Sequence, residues 1–295
     1  MLWIPFTIIA AAAQTARNAM QRELTTTLGT VGATHVRFLF GFPFAILFLV
    51  GVLMVTGAAM PQPSLIYWPW IALGFVAQIA ATAMMLSAMS SRSFVVTTAY
   101  IKTEPVQTAL FGLILLGDHI TPLLAVAILI ATAGVVVMSY KPGVAQVGGY
   151  KPTVMGIVAG GMFGLSAIGY RGAILSLELG DNYVLAATFT LAVGLVLQAA
   201  SLSAWLAWRD VGVLKAIFRA WKPSIMAGFM GAFASQFWFL AFALTTAASV
   251  RTLALVEVLF AQGISKFIFK QPTTGREAFG IAMIVVGVAL LVWAH

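Results

Sequence analysis

Apolar blocks of roughly 18 to 26 residues, the length that crosses a bilayer, recur along the whole 295-residue chain and constrain its fold more than any other feature. Broken at Gly, Pro, Asn, Asp or charge, they give ten candidate spans. Spans 1 to 5 are Leu2 to Met20, Val31 to Thr56, Ile66 to Met89, Phe94 to Leu116 and Pro122 to Ser139. Spans 6 to 10 are Val154 to Leu177, Tyr183 to Trp208, Ile225 to Thr246, Val250 to Phe269 and Ala278 to Ala294. They are too long and too continuously apolar for the ~10-residue alternating strands of an outer-membrane barrel, and a helix satisfies its own backbone where no water is at hand. The composition is 61% hydrophobic and 8% charged, against about 25% charged in soluble domains, which excludes a water-soluble particle. The expected fold class is an all-α polytopic membrane protein. With no cysteine, disulfides, thiolate nucleophiles and thiolate metal sites are also excluded.

An even number of spans puts both termini on one side, and the 16 basic residues say which. Loops after spans 1, 3, 5, 7 and 9, with their flanks, hold Arg17, Arg22, Arg92, Lys141, Lys151, Arg209, Lys215, Arg219, Lys222, Lys266, Lys270 and Arg276. The opposite face holds Arg171 and Arg251, while Arg37 and Lys102 fall within spans. The positive-inside rule makes the richer face cytoplasmic and both termini extracytoplasmic, in a bacterial inner membrane. Span 1 lacks a basic segment ahead of it, which suits a translocated N-terminus; a cleaved signal peptide, suggested by the alanines at 10 to 13, is the alternative. The net charge of +8 is accounted for by these loops and does not require nucleic acid.

The two halves repeat. A shift of 149 lays Ile8-Ile9-Ala10 on Ile157-Val158-Ala159 and Arg22 on Arg171; a shift of 153 lays Glu104 on Glu257, Ala125 on Ala278 and Gly134 on Gly287. The segment KPGVAQVGGYK is the natural joint, giving a first repeat over 1–140, a cytoplasmic linker over 141–152 and a second repeat over 153–295. Five spans per half is odd, so the copies enter the membrane from opposite sides as two inverted five-helix repeats, the plan of many alternating-access carriers.

Two stretches carry a family resemblance: TEPVQTALFGLILLGDHITPLLAVAILIATAGVVVMS, with its Glu-Pro, its Leu-Gly-acid turn and its Gly-Val ending, and the weaker copy VEVLFAQGISKFIFKQPTTGREAFGIAMIVVGVALLVW. In them the chain resembles the drug/metabolite transporter superfamily and its ten-helix EamA-like carriers. That resemblance implies export or exchange of amino acids, amines, drugs or other metabolites. The chain departs from the pattern at Val258 and Lys270, where Pro105 and Gly117 stand in the first copy, and in its charge bias, since many members have a cytoplasmic N-terminus.

A charge near the bilayer centre costs at least ~2.5 kcal/mol, so each one is a functional hypothesis. Glu104 and Glu257 both fall near mid-depth at equivalent positions of inverted copies, so they should approach one central cavity. Helical spacing puts Glu104 on a face with Thr97, Tyr100, Gln107, Thr108 and Phe111, a polar and aromatic stripe suited to a ligand. Glu257 has only apolar company on its own helix, from Val250 to Ile264, which favours its neutral form unless a cation pairs with it and makes it a proton-coupling acid, with Glu104 as a second. Pro105 frees the carbonyl of Ile101, either for a ligand or merely to kink the helix. Lys102 lies about 200° around the helix from Glu104 and is expected to snorkel toward the cytoplasmic surface or to serve an anionic substrate. Arg37, near His35, is shallow enough for a head-group contact, and Arg251 is expected in the outer interface; alternatively both, with Lys102, serve an anionic substrate.

Polar pairs at helical spacing add candidates for substrate binding: Gln14 and Asn18, Gln78 and Thr82, Ser166 and Tyr170, with Gln236 matching Thr82. Such residues also join helices to one another. The stripe Gly156, Gly160 and Gly164 reads as close helix packing. Seven of the eight tryptophans, Trp3 among them, fall near span ends as interface anchors, whereas Trp238 lies inside span 8 and could stack on a substrate.

These features predict a secondary transporter, exporter or exchanger, of a small polar metabolite, best an amino acid, amine or organic cation, working by alternating access around a central carboxylate site. The alternative is a carrier of an anion such as a sugar phosphate, nucleotide sugar or lipid head group. No Walker sequence and no H-E-x-x-H arrangement is present, so ATP hydrolysis and zinc catalysis on lipid are disfavoured and no enzyme activity, cofactor or metal is expected. The expected partners are a small-molecule substrate, membrane lipid and a coupling proton, with no nucleic acid, in a monomer or homodimer.

Overall fold

The structure, a computed structural model, describes residues 1–89, 100–139, 151–260, 262 and 274–294. The start of span 4, the end of span 9, most of the linker, and Thr97, Arg92, Lys141, Lys266 and Lys270 lie outside the described residues, as do the side chains of Arg22 and Lys151. Within them are eleven α-helices and no strand. Six helical stretches are long and apolar enough to cross a membrane, and two shorter apolar ones run over Glu104–Leu116 and Pro122–Met138. The protein is an all-α membrane protein.

Helix α1 (Trp3–Leu39) covers span 1 and the start of span 2, interrupted at Gly29, whose φ of 67° and ψ of 177° turn the chain back on itself. The residues between Met20 and Val31, read as a loop, are helical on either side of that glycine. A side chain is disfavoured at such a φ, so a single glycine does the work of a loop. Helix α2 (Phe42–Thr56) completes span 2 and α3 (Tyr67–Met89) forms span 3. Helix α4 (Glu104–Phe111) is followed by a π turn (Gly112–Leu116) that ends at Gly117 with φ of 67°. Helices α5 (Pro122–Ser139), α6 (Lys151–Leu175) and α7 (Tyr183–Arg209) match spans 5 to 7 within a few residues.

A short helix, α8 (Val211–Arg219), occupies what reads in the sequence as a loop. Asp210 caps its start by accepting from the Val213 amide at 3.1 Å, and its apolar face buries Ile217 against Leu24, Leu28 and Ala33. Helix α9 (Trp221–Leu244) forms span 8, α10 (Ala247–Leu253) with a 3-10 turn (Ala254–Val256) opens span 9, and α11 (Gly275–Trp293) forms span 10. A reciprocal capping box between Thr274 and Glu277 starts α11.

The main packed pairs are α1 with α9, α3 with α6, and α5 with α11. Small residues allow the last pair to meet at backbone distance. A Cβ on Gly134 would lie 2.7 Å from the Gly280 carbonyl oxygen, and one on Gly287 would lie 2.6 Å from the Ala131 nitrogen and 2.9 Å from the Ala127 carbonyl oxygen. Gly160 and Gly164 do the same between α6 and α4, where a Cβ would sit 2.9 Å from the Ile101 oxygen and 2.8 Å from the Thr108 hydroxyl. Trp208 and Trp293 are exposed as interface anchors should be, but Trp3 is buried in the core and is not one.

Candidate functional site

Spans 4 and 9 are both broken one step before their acid. In span 4 the helix gives way to a turn at Lys102 and Thr103 and restarts with Glu104 in the first position of α4, because Pro105 has no N–H for the Ile101 carbonyl. In span 9 Val258 keeps its N–H, and the chain only tightens into the 3-10 turn before helix resumes at Glu257. Glu104 thus stands in the first turn of a restarting helix, an end that favours negative charge, whereas the amide of Glu257 stays bonded within the 3-10 turn.

The two acids line one small cavity with Gln14, Lys102, Pro105, Arg251, Ala254 and Leu255. Their charges cross between the two spans. Arg251 of α10 places its Nε 2.9 Å from Glu104 Oε1, off the hydrogen-bonding direction, and Lys102 of span 4 pairs with Glu257 of span 9. Gln14 of α1 joins them, donating to Glu257 Oε2 at 3.4 Å and accepting from the Trp238 indole at 3.1 Å. The Arg251 guanidinium lies over the Trp238 ring, 4.8 Å from its centroid, and 5.3 Å from that of Phe242. The cavity is about 20 Å³, room for about one water and no metabolite, so the site is closed in this conformation.

Several expectations are corrected here. Arg251 is not in the outer interface but 7% exposed at the cavity, and Lys102 does not snorkel to a surface. Glu257 is not among apolar groups alone, since the helices packed against it supply Lys102 and Gln14. Arg37 is 2% exposed and donates to the hydroxyls of Thr82 and Ser235, each at 3.3 Å, which rules out a head-group position; Arg17, read as a loop flank, is 1% exposed. Arg251, read from the sequence as an interface residue or as a ligand for an anionic substrate, lines the cavity, while Arg17, which does not line it, went unmarked although it is a charge beside an apolar run, the same signal that marked the acids.

The polar candidates divide. Gln14 lines the cavity together with both acids, and Trp238 stands behind it, bonded to Gln14 and packed under Arg251. Gln107 instead bridges to α6, donating to the Ile157 carbonyl at 3.2 Å and to Thr103 at 3.0 Å, and Thr108 bonds back to the Glu104 carbonyl at 2.8 Å. Tyr100 serves the turn through its carbonyl, which accepts from the Thr103 amide and hydroxyl. Gln78 accepts from Tyr170 at 2.9 Å and from Gln198 at 3.0 Å, tying α3, α6 and α7, while Asn18 accepts from Arg17 at 2.7 Å. Gln236 donates to Thr188 at 2.8 Å and borders a separate cavity of about 530 Å³ between α2, α7 and α9, walled by Phe48, Val52, Phe233 and Phe237. That apolar space has none of the charges and suits an acyl chain. The carbonyl freed by Pro105 faces Gly160 of α6, so it serves close packing.

Residues 1–140 match the family model described as the EamA-like transporter family. No curated protein matches the chain. A solved crystal structure, described only as that of a protein, aligns over 99% of this chain and 99% of its own with a TM-score of 0.65 at 15% identity, a likeness of fold alone. Residues 1–140 are therefore an EamA-like transporter family domain of the drug/metabolite transporter superfamily, a family of non-enzymatic membrane transporters of small molecules.

Proposed function

We propose that the chain is a secondary transporter, exporter or exchanger, of a small polar metabolite bearing an ammonium group, with an amino acid as the best fit and amines and organic cations next. The observation that carries this reading is the pair of crossed ion pairs around one cavity. A zwitterion can exchange into them, its ammonium on a glutamate and its carboxylate on Lys102 or Arg251, so the buried charges stay matched whether substrate is bound or not. The misaligned contact of Arg251 with Glu104 supports Glu104 as the acid that exchanges first. Lys102 on Glu257 supports a coupling role there, because a proton arriving at Glu257 competes with that lysine. Gln14 borders the same space with Trp238 behind it, whereas Tyr100, Gln107, Thr108, Asn18, Gln78, Thr82, Tyr170 and Gln236 fit a scaffolding role better than contact with substrate.

The site would alternate between two inverted five-helix halves, residues 1–140 and 153–295, joined by 141–152. Reciprocal packing supports the inversion: α1 on α9 is answered by α6 on α3, and the Gly134 to Gly280 contact by that of Gly287 with Ala127. The basic flanks of α8, with Arg209, Lys215, Arg219 and Lys222, support the charge-based topology, with both termini extracytoplasmic in a bacterial inner membrane. One observation favours a second reading, an anionic substrate: the cavity holds as many cations as acids, so Lys102 and Arg251 are available to a phosphate. Counterflow in proteoliposomes loaded with an amino acid, an amine or a phosphorylated sugar tests both. Exchange of the amino acid, lost in Glu104→Gln, is expected; exchange of the phosphorylated sugar alone replaces this reading by the second, and no exchange of any of the three discards both.

A further inference from the structure

Two buried arginines have no carboxylate partner among the described residues. Arg17 and Arg37 lie on the two limbs of α1 either side of Gly29, and both run over Gly231 of α9, where a Cβ would stand 3.5 Å from Arg17 Cδ and 3.0 Å from Arg37 Cγ. Both are buried, at 1% and 2% exposure. A guanidinium carries five N–H donors. Arg17 spends one on Asn18 Oδ1, and its Nε and Nη1 have no partner among the described residues. Arg37 reaches only the hydroxyls of Thr82 and Ser235, and its Nε is also unpartnered there. All eight acidic residues of the chain are among those described, and none pairs with either arginine: Glu104 and Glu257 are held by Arg251 and Lys102, and Asp118 by Arg171. Arg17, Arg37 and Arg251 are also close enough to repel one another. Around α1, α3 and α9 there are thus, among the described residues, two positive charges without a carboxylate, surplus N–H donors, and two hydroxyls with no acceptor for their own hydrogens.

We propose that Arg17 and Arg37, with Thr82 and Ser235, form a buried binding site for a small oxyanion, a phosphate or carboxylate group, wedged between α1, α3 and α9. Such a group supplies several acceptor oxygens and negative charge at once, and planar guanidinium forks match it in pairs. The site is separate from the crossed ion pairs, and its occupancy does not depend on which substrate they carry. Held there, the anion would fasten the returning limb of α1 to α3 and α9.

The test is thermal unfolding of the purified full-length protein in neutral detergent, titrated with inorganic phosphate or acetate against chloride at matched ionic strength. A saturable rise in Tm, on the order of 3 °C, is expected with phosphate or acetate but not with chloride. It should vanish in Arg17→Met and Arg37→Met and persist in the double variant Lys102→Gln/Glu257→Gln, which removes one central pair. Native mass spectrometry with phosphatidylglycerol against phosphatidylcholine separates the two sources. Retention of phosphatidylglycerol by the parent and its loss from the arginine variants assigns the anion to a lipid head group; a phosphate or acetate shift without retention assigns a free anion. Equal shifts in chloride, no dependence on any of the three anions, a shift that survives both methionine substitutions, or one abolished by the central double variant each overturns the site. Should a methionine variant not fold, Arg37→Lys takes its place, with half the shift expected only at a phosphate concentration several-fold higher.

Discussion

Removing one partner of a buried ion pair leaves the other charged and out of water, at about 3–5 kcal/mol, whereas removing both leaves no orphan. Lys102→Gln or Glu257→Gln alone should therefore lower the Tm of the purified protein more than Lys102→Gln/Glu257→Gln does; a double variant as damaged as the sum of the singles would refute the pairing. On the proposed coupling role, the same pair would set the pH response. Protonation of Glu257 releases Lys102, and deprotonation recaptures it, so transport by the parent should change with pH while Glu257→Gln, which cannot titrate, transports at a rate independent of pH and still binds substrate. Uptake into proteoliposomes across the neutral range, beside a binding measurement, checks this; an unchanged pH profile in the variant removes the coupling role. The acids were legible in the sequence because an intramembrane charge is costly wherever it sits. Their partners were not. Spacing along one helix names only that helix's own neighbours, and Lys102 and Arg251 each answer an acid on the other span.

Elements follow from the sequence where they are long and apolar and escape it where they are short. Spans 3, 5, 6, 7, 8 and 10 appear as helices within a few residues of their apolar runs, because the bilayer leaves a continuous apolar segment no other way to satisfy its backbone. Helix α8 escaped notice because nine residues between two spans are too few for a crossing, although Asp210 followed by Val211, Leu214, Ile217 and Phe218 is a capped amphipathic stretch of about two turns. The break before Glu104 was legible in Pro105, but the equivalent one before Glu257 was not, since Val258 gives no sign of it. One close contact between elements gives a direct test. A Cβ on Gly287 would come within 2.6 Å of α5 backbone, which cannot yield as a side chain could, whereas a Cβ on Gly275 meets nothing within 4 Å. Gly287→Val should lower thermal stability by about 1–3 kcal/mol or prevent folding, while Gly275→Ala leaves it unchanged. Equal Tm values for the two variants would contradict the α5 to α11 packing.

For the whole molecule to expose one site to alternate sides, as proposed, one end must open as the other closes, and the contacts of Arg171 are suited to latch one end. Arg171, near the end of α6, donates to the carbonyls of Phe242 and Thr245 at the end of α9, at 3.0 and 2.9 Å, and to Asp118 after the π turn at 3.1 Å. One guanidinium thus ties together three segments, two from the second half and one from the first. Hydrogen bonds to a charged group contribute about 1.5–3 kcal/mol each, so losing even one of these shifts an open-closed equilibrium by tenfold or more. Because the chain has no cysteine, a single introduced thiol reports the change without background. Ala254, which lines the cavity, is a suitable position. In Ala254→Cys, a membrane-impermeant thiol reagent added from the Arg171 side should react on the order of tenfold faster once Arg171→Ala is introduced. Reagent from the opposite side should react more slowly, because a bundle that opens at one end closes at the other. A rate that rises from both sides would mean that Arg171 merely holds the bundle together, and a rate unchanged from its own side would mean that it gates nothing.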